Sequence, residues 1–138
     1  MVIRLVFYIV LSLTAQLCFA EEVTPIRQGH AHNDYEHERP LFDALDNGFC
    51  SIEVDIFLVG EEFLVGHDKK DIRPEKTIQS LYLNPLRERI RKNGGRVYER
   101  GAPLTFLIDI KSDGPETYSR LRTLLAQYSD ILSGLDEG

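Results

Sequence analysis

Cysteine is scarce, positive charge is in deficit, and the one long apolar run sits at the very start of the chain. Only two cysteines occur in 138 residues. Cys18 lies in the opening apolar stretch and Cys50 has no other partner, so a disulfide framework that would hold a small core together is excluded. Sixteen Lys and Arg face 22 Asp and Glu, a formal net charge of −6. Such a balance argues against nucleic acid as a partner, because gripping a phosphate backbone draws on clustered cations. It suits a bound cation better. No internal repeat or low-complexity tract interrupts residues 21–138, and 43% hydrophobic with 28% charged residues is the composition of one modest globular domain.

The first twenty residues, MVIRLVFYIVLSLTAQLCFA, place Arg4 ahead of an apolar run from Leu5 and end on Ala20 before Glu21 and Glu22. That is the layout of a secretory signal. Ser12, Thr14 and Gln16 interrupt the run, which is short of the roughly 20 apolar residues that a bilayer-spanning helix needs. Residues 1–20 are therefore expected to be a signal peptide cut after Ala20. The chain 21–138 would then be secreted or periplasmic, with no stable membrane span. Cys18 leaves with the signal, and Cys50 is then either buried and inert or intermolecular.

Beyond the signal, strand and helix patterns alternate along the chain. Residues 25–28 read as a short first strand, and residues 41–45 as a helix stopped by Asn47-Gly48. Residues 50–59, rich in β-branched and aromatic side chains, read as a strand ended by Gly60, with residues 63–65 as its hairpin partner. Ile78, Leu81, Tyr82, Leu86 and Ile90 recur at helical spacing over residues 77–92, with an expected interruption at Asn84-Pro85. Residues 104–110 are a third strong strand. Gly114-Pro115 opens a last helix with Tyr118, Leu121, Leu124, Leu125 and Tyr128 on one face. The order βαβαβα implies a parallel sheet with crossover helices. An eight-unit barrel takes roughly 250 residues. The expectation is thus an α/β fold, the N-terminal portion (about three βα units) of a TIM-type (β/α)8 barrel, over residues 21–138.

Chemistry enters through alternation. On a strand, Glu53 and Asp55 share one face while Ile52, Val54 and Ile56 take the other, and Asp109 with Lys111 repeats the arrangement against Ile108 and Ile110. One such strand alone describes an antiparallel sheet with a wet side. Two in one parallel sheet would bury carboxylates, at several kcal/mol per uncompensated ion. A divalent cation removes that penalty, and an all-oxygen set suits Mg²⁺ or Ca²⁺ rather than zinc. Lys111 is then placed for an anionic substrate, or pairs with a neighbour such as Asp113. His30 and His67 each follow a strand, where loops converge at the carboxyl end of a parallel sheet. Two imidazoles there can take and give protons near neutral pH, as phosphodiester cleavage beside a metal requires.

In this order, His30, Glu53-Val54-Asp55, His67-Asp68 and Asp109-Ile110-Lys111 resemble the N-terminal half-site of the glycerophosphodiester phosphodiesterases, in the phosphatidylinositol-phospholipase-C-like superfamily of barrels. The opening His30-Ala31-His32-Asn33-Asp34-Tyr35 resembles most closely the branch around the fungal altered-inheritance-of-mitochondria protein six. The resemblance covers residues 25 to the end. It implies His30 and His67 as general acid and base, Glu53, Asp55 and Asp109 as metal ligands, and Lys111 on the phosphate of a small phosphodiester or phospholipid-derived substrate. His32 and Asn33 would face that substrate, Asn33 and Asp34 would shape the loop, and residues 36–39 would face solvent. Two departures stand out. The family's His-Arg-Gly is His30-Ala31-His32 here, and Asp109 stands where glycerophosphodiesterases usually carry Glu, although the related spider-venom sphingomyelinases D carry Asp there.

Two rival readings remain. His30-Ala31-His32 is similar to the His-x-His that marks zinc amidohydrolase-like and PHP-like metallohydrolases, since alternate positions on an extended segment can face one ion. That reading needs more histidines, and only His37 and His67 are left. The other is a truncated, non-catalytic metal-binding module.

Overall fold

The computed structural model describes residues 23–133. The expected signal peptide and its cleavage point lie outside them. Among the described residues no helix is long and apolar enough to cross a membrane.

The described residues form a mixed α/β fold with a four-stranded sheet and three α-helices. Strand β1 (Ile26–Ala31) leads through a 3-10 turn (Asp34–Glu36) to the short helix α1 (Phe42–Asp46). Strand β2 (Phe49–Val59) and strand β3 (Glu62–Val65) form a hairpin. A π-helical turn (Gln79–Leu83) runs into α2 (Asn84–Lys92), followed by β4 (Thr105–Ile110) and α3 (Gly114–Ala126). The eleven residues of β2 are the axis of the sheet. Their first part pairs in parallel with β1, their last part antiparallel with β3, and Ser51 to Ile56 in parallel with β4 on the opposite side.

The alternation expected of β2 is realised. Ile52, Val54 and Ile56 are fully buried and pack with Leu41, Leu45, Tyr82, Leu83 and Leu121 into one hydrophobic core. Cys50 is a buried free thiol, the inert alternative of the two expected. Gly48 ends α1 at φ 81, and a Cβ there would collide with the carbonyl oxygen of Thr24, so only glycine fits this stop.

Four expectations need correction. β1 runs three residues further than its local signal, because pairing of His30 with Ser51 and Ala31 with Ile52 carries the extended backbone forward. His30 therefore lies inside a strand rather than in the loop after it. The helix over residues 77–92 changes type at Asn84-Pro85 rather than breaking there. The π-helical turn ends at Leu83, and Asn84, which begins α2, is itself helical (φ −68, ψ −48) with its N–H on the Gln79 carbonyl five residues back. On α3 the buried stripe starts at Thr117 and continues through Leu121 to Tyr128, which turns Tyr118 outward to 58% exposure. Finally, β3 is the antiparallel hairpin partner expected of it, so His67, which follows it, does not follow a parallel strand.

Candidate active site

The register of β2 against β4 sets Asp55 beside Asp109 and Glu53 beside Leu107. Glu53, Asp55 and Asp109 therefore share a face, and one oxygen from each lies within 4.8 Å of the others. Two oxygens on one Ca²⁺ are separated by at most about 5 Å, twice the metal–oxygen distance, so the cluster is tight enough for a single ion.

The loop after β1 holds the two carboxylates of β2. Asn33 adopts a left-handed conformation (φ 49), which the Asn side chain tolerates, and its N–H donates to Glu53 Oε2 at 2.7 Å. The Tyr35 hydroxyl donates to Asp55 Oδ2 at 2.7 Å. Between them Asp34 turns inward, fully buried, and accepts from the Leu41 N–H at 2.5 Å and the Tyr82 hydroxyl at 3.0 Å. Tyr82 comes from the π-helical turn, so this loop is fastened to the core at the same place where it grips the site.

His67 reaches the cluster by the hairpin. β2 continues four residues past Asp55, β3 returns with Val65 opposite Ile56, and the Gly66 N–H bonds to the Asp55 carbonyl. The next residue, His67, places Nδ1 2.8 Å from Asp55 Oδ2. A carboxylate only accepts, so Nδ1 carries the proton and Nε2 is left for other work. On the far side, Lys111 Nζ lies 2.7 Å from Asp109 Oδ2 and 3.3 Å from Asp55 Oδ1.

These contacts set the charge state. Burial would raise the Asp55 carboxyl, but hydrogen bonds with Tyr35, His67, Glu53 and Lys111 outweigh it and hold the group below the usual carboxylate range. Burial pushes the Glu53 carboxyl upward despite the Asn33 N–H, and the neighbouring Asp55 adds to the rise. Burial, then Asp55, likewise raises the Tyr35 phenol, which stays a donor at any physiological pH. Three carboxylates against one lysine leave a negative surplus at the centre. Asp55 Oδ1 and Asn33 Oδ1 are also buried and accept no hydrogen bond. Surplus charge and a buried carboxylate oxygen that has the Lys111 ammonium 3.3 Å away both fit an oxygen-ligated divalent cation.

The structure thus brings Glu53, Asp55, Asp109, His67, Lys111 and Asn33 together. The histidines of the first strand stand differently. His30 pairs with Ser51, one pleat below Glu53, and its Nδ1 is 2.8 Å from the Ser51 hydroxyl. His32, two residues on, acts electrostatically on Glu53 to favour its ionised form. Their rings are 6.4 Å apart. Among the described residues no cluster of three potential ligands includes a histidine. Residues 36–39 are exposed, as expected; Arg39 binds Asp43 and Asp46 of α1, and His37 also borders a cleft of about 310 Å³ with Tyr35, Gly66, His67 and Lys76. Sequence reasoning missed Tyr35, Tyr82 and Ser51. Ser51 had a signal, since it precedes Glu53 by two on the same strand face.

Fold and site together define a mixed α/β protein with a carboxylate cluster flanked by histidines at one face of its sheet. The family model for the AIM6-like phosphodiesterase domain matches residues 17–131, and the chain belongs to that family. It is 31% identical over 120 residues to the altered inheritance of mitochondria protein 6 homolog of Arthroderma benhamiae, covering 73% of this chain and 38% of that protein. It is 38% identical over 122 residues to altered inheritance of mitochondria protein 6 of Saccharomyces cerevisiae (79% of this chain, 30% of that protein). The Lachancea thermotolerans protein of the same name is 32% identical over 128 residues, with 82% and 29% coverage. The chain thus spans about a third of the length of these relatives. No solved structure matches it.

Proposed function

We propose that this chain carries the metal-binding and proton-transferring part of a phosphodiester hydrolase similar to the glycerophosphodiester phosphodiesterases, built on the opening units of a (β/α)8 barrel and exported after loss of residues 1–20. The observation that carries the reading is the convergence of Glu53, Asp55 and Asp109 within 4.8 Å, with His67 hydrogen-bonded to the central ligand. These three residues would hold Mg²⁺ or Ca²⁺, which supplies charge neutralisation to the phosphoryl oxygens.

The rest of the chemistry belongs to side chains. Asp55 accepts from His67 Nδ1 and so fixes its tautomer, the Ser51 hydroxyl engages His30 Nδ1 as donor or acceptor, and each imidazole keeps Nε2 to hold or move a proton. One of the pair takes the proton of the attacking oxygen as its bond to phosphorus forms. The other gives a proton to the alkoxide as the second P–O bond breaks. Lys111 faces the phosphate, with His32 and Asn33 toward the rest of a small phosphodiester or phospholipid-derived substrate. Membership in a family named for phosphodiesterase activity supports this reading.

A second reading of the first-strand histidine is favoured by the surroundings of Glu53: His32 acts electrostatically on it, whereas His30 pairs with Ser51, one pleat before it. In that case His32 partners His67. Turnover of bis-nitrophenyl phosphate, glycerophosphocholine and a lysophospholipid by His30→Ala and His32→Ala separates the two. The metal part of the proposal is tested by thermal unfolding. Millimolar Mg²⁺ or Ca²⁺ should raise the melting temperature of the chain, as a ligand of the folded state alone must. No shift, or an equal shift in the Glu53, Asp55 and Asp109 triple alanine variant, overturns it. Wild-type rates in His30→Ala and His67→Ala, with activity and bound zinc both lost in His32→Ala, would point to an amidohydrolase-like enzyme instead.

A further inference from the structure

The two oxygens of Asp55 have unlike surroundings. Oδ2 is engaged by the Tyr35 hydroxyl at 2.7 Å and by His67 Nδ1 at 2.8 Å. Oδ1 is buried, accepts no hydrogen bond and has the Lys111 Nζ 3.3 Å away, and Asp55 gives one oxygen to the cluster with Glu53 and Asp109. The two donors to Oδ2 are not equivalent. The His67 side chain is 53% exposed and follows a glycine, so it can swing with the carboxylate. Tyr35 cannot. It is buried in a turn whose Asn33 N–H is bonded to Glu53 and whose Asp34 is tied to the Leu41 N–H and the Tyr82 hydroxyl.

We infer that Tyr35 is a positioning residue for the metal centre: its hydroxyl fixes the rotation of the Asp55 carboxylate, keeping Oδ2 for protein donors and Oδ1 for the cation. This rests on the proposed function above. Hydrogen bonds from outside the ligand set commonly contribute 10–100-fold to metal affinity, by fixing ligand orientation. Tyr35→Phe keeps the ring in the core and removes only the hydroxyl. Oδ2 is then held by His67 alone, with Lys111 3.3 Å from Oδ1, and rotation of the carboxylate breaks the histidine contact as well.

The test is calorimetric titration of the chain with Ca²⁺ alone and with Mg²⁺ alone, on wild type, Tyr35→Phe and Tyr82→Phe, with the melting temperature of each metal-free form measured alongside. Tyr82→Phe removes the other buried phenol that supports the same loop, through Asp34 rather than Asp55. The expected result is a loss of cation affinity of about 10–100-fold in Tyr35→Phe. Tyr82→Phe should melt earlier and bind the ion nearly as wild type does. Equal losses of affinity in the two variants would mean that Tyr35 only supports the loop, and wild-type affinity in Tyr35→Phe would mean that it does not act on Asp55. Either overturns the inference while leaving the metal centre standing. A wild-type chain that binds neither ion would overturn the functional reading and this inference with it.

Discussion

Asp55 and Asp109 are register partners on neighbouring parallel strands, at one level and on one face of the sheet, yet their surroundings differ widely. The Asp55 side chain is 1% exposed and has the Tyr35 hydroxyl, His67 and Lys111 around it. The Asp109 side chain is 54% exposed and faces Lys111. The same contrast holds one pleat earlier, since Glu53 is buried while its neighbour Leu107 is exposed. What buries a carboxylate here is the loop laid over it, not the strand that carries it. Among the described residues the β1 loop and the β2–β3 hairpin cover one flank of the site, and β4 carries the exposed Asp109 on the other. A cation would therefore meet two prearranged ligands and one compliant ligand.

Substitutions on the two flanks should behave differently. The largest effect is expected of Asp55→Ala, which removes a ligand and leaves the buried Tyr35 hydroxyl without its acceptor. Cation binding and turnover should both disappear, and the metal-free fold should lose about 1–3 kcal/mol from the orphaned donor. A denaturation series with and without Ca²⁺ reads both. His67→Ala should lower turnover by about 10²–10⁴ while the calorimetric cation affinity stays close to wild type. A variant that lost cation binding would show that His67 holds the site rather than moves a proton.

Asp109→Ala probes the Asp109 flank directly. Removing the exposed ligand should weaken the cation by less than Asp55→Ala does, because nothing buried is orphaned and Lys111 can turn toward Asp55 Oδ1. An affinity loss equal to that of Asp55→Ala would show the Asp109 flank to be as well organised as the covered one.

The smallest effect concerns the helices behind β4. Arg87 and Arg91 of α2 both pair with Asp130 beyond α3, and Arg87 holds the Asp130 carboxyl below its ordinary range. Because the folded-state value is lowered, this contribution is complete above the ordinary carboxylate range and fades as pH falls through the folded value. Asp130 and Arg91 are exposed to solvent and Arg87 is only partly covered, so it is small. Asp130→Asn should melt slightly earlier than wild type at neutral pH, and the two curves should converge in acid.

How much of the site is legible in the sequence depends on where each contact originates. Period-two alternation within β2 and β4 is enough to place Glu53 with Asp55, and Asp109 with Lys111, on common faces. Those carboxylates need no knowledge of the rest of the chain. Tyr35 and Tyr82 are not legible, because each meets its carboxylate through a turn whose geometry depends on distant partners: Asp55 is 20 positions from Tyr35, and Asp34 is 48 from Tyr82. Local propensity puts His30 in a loop, because it takes a parallel partner strand to extend β1 past its own signal. For His67 the sequence leads to the right place by a wrong route. The short strand before it runs against β2, and the reach of the hairpin, not convergence of parallel loops, delivers the imidazole.

That hairpin has a consequence for how this chain can change length. Its two arms meet at a two-residue connection, where Gly60 has φ 61 and a Cβ would find nothing within 4 Å. Glu61, the other residue of the tip, is held by an exposed ion pair with Arg120 of α3, and matched additions to both arms would give up that pair yet return the chain to Asp55 at the same point. A single residue inserted into one arm is different. It shifts the pairing by one and turns each side chain of that arm, His67 with them, to the opposite face of the sheet. Descendants of this sequence can therefore lengthen or shorten the hairpin in paired steps, whereas an odd step silences the histidine without touching it.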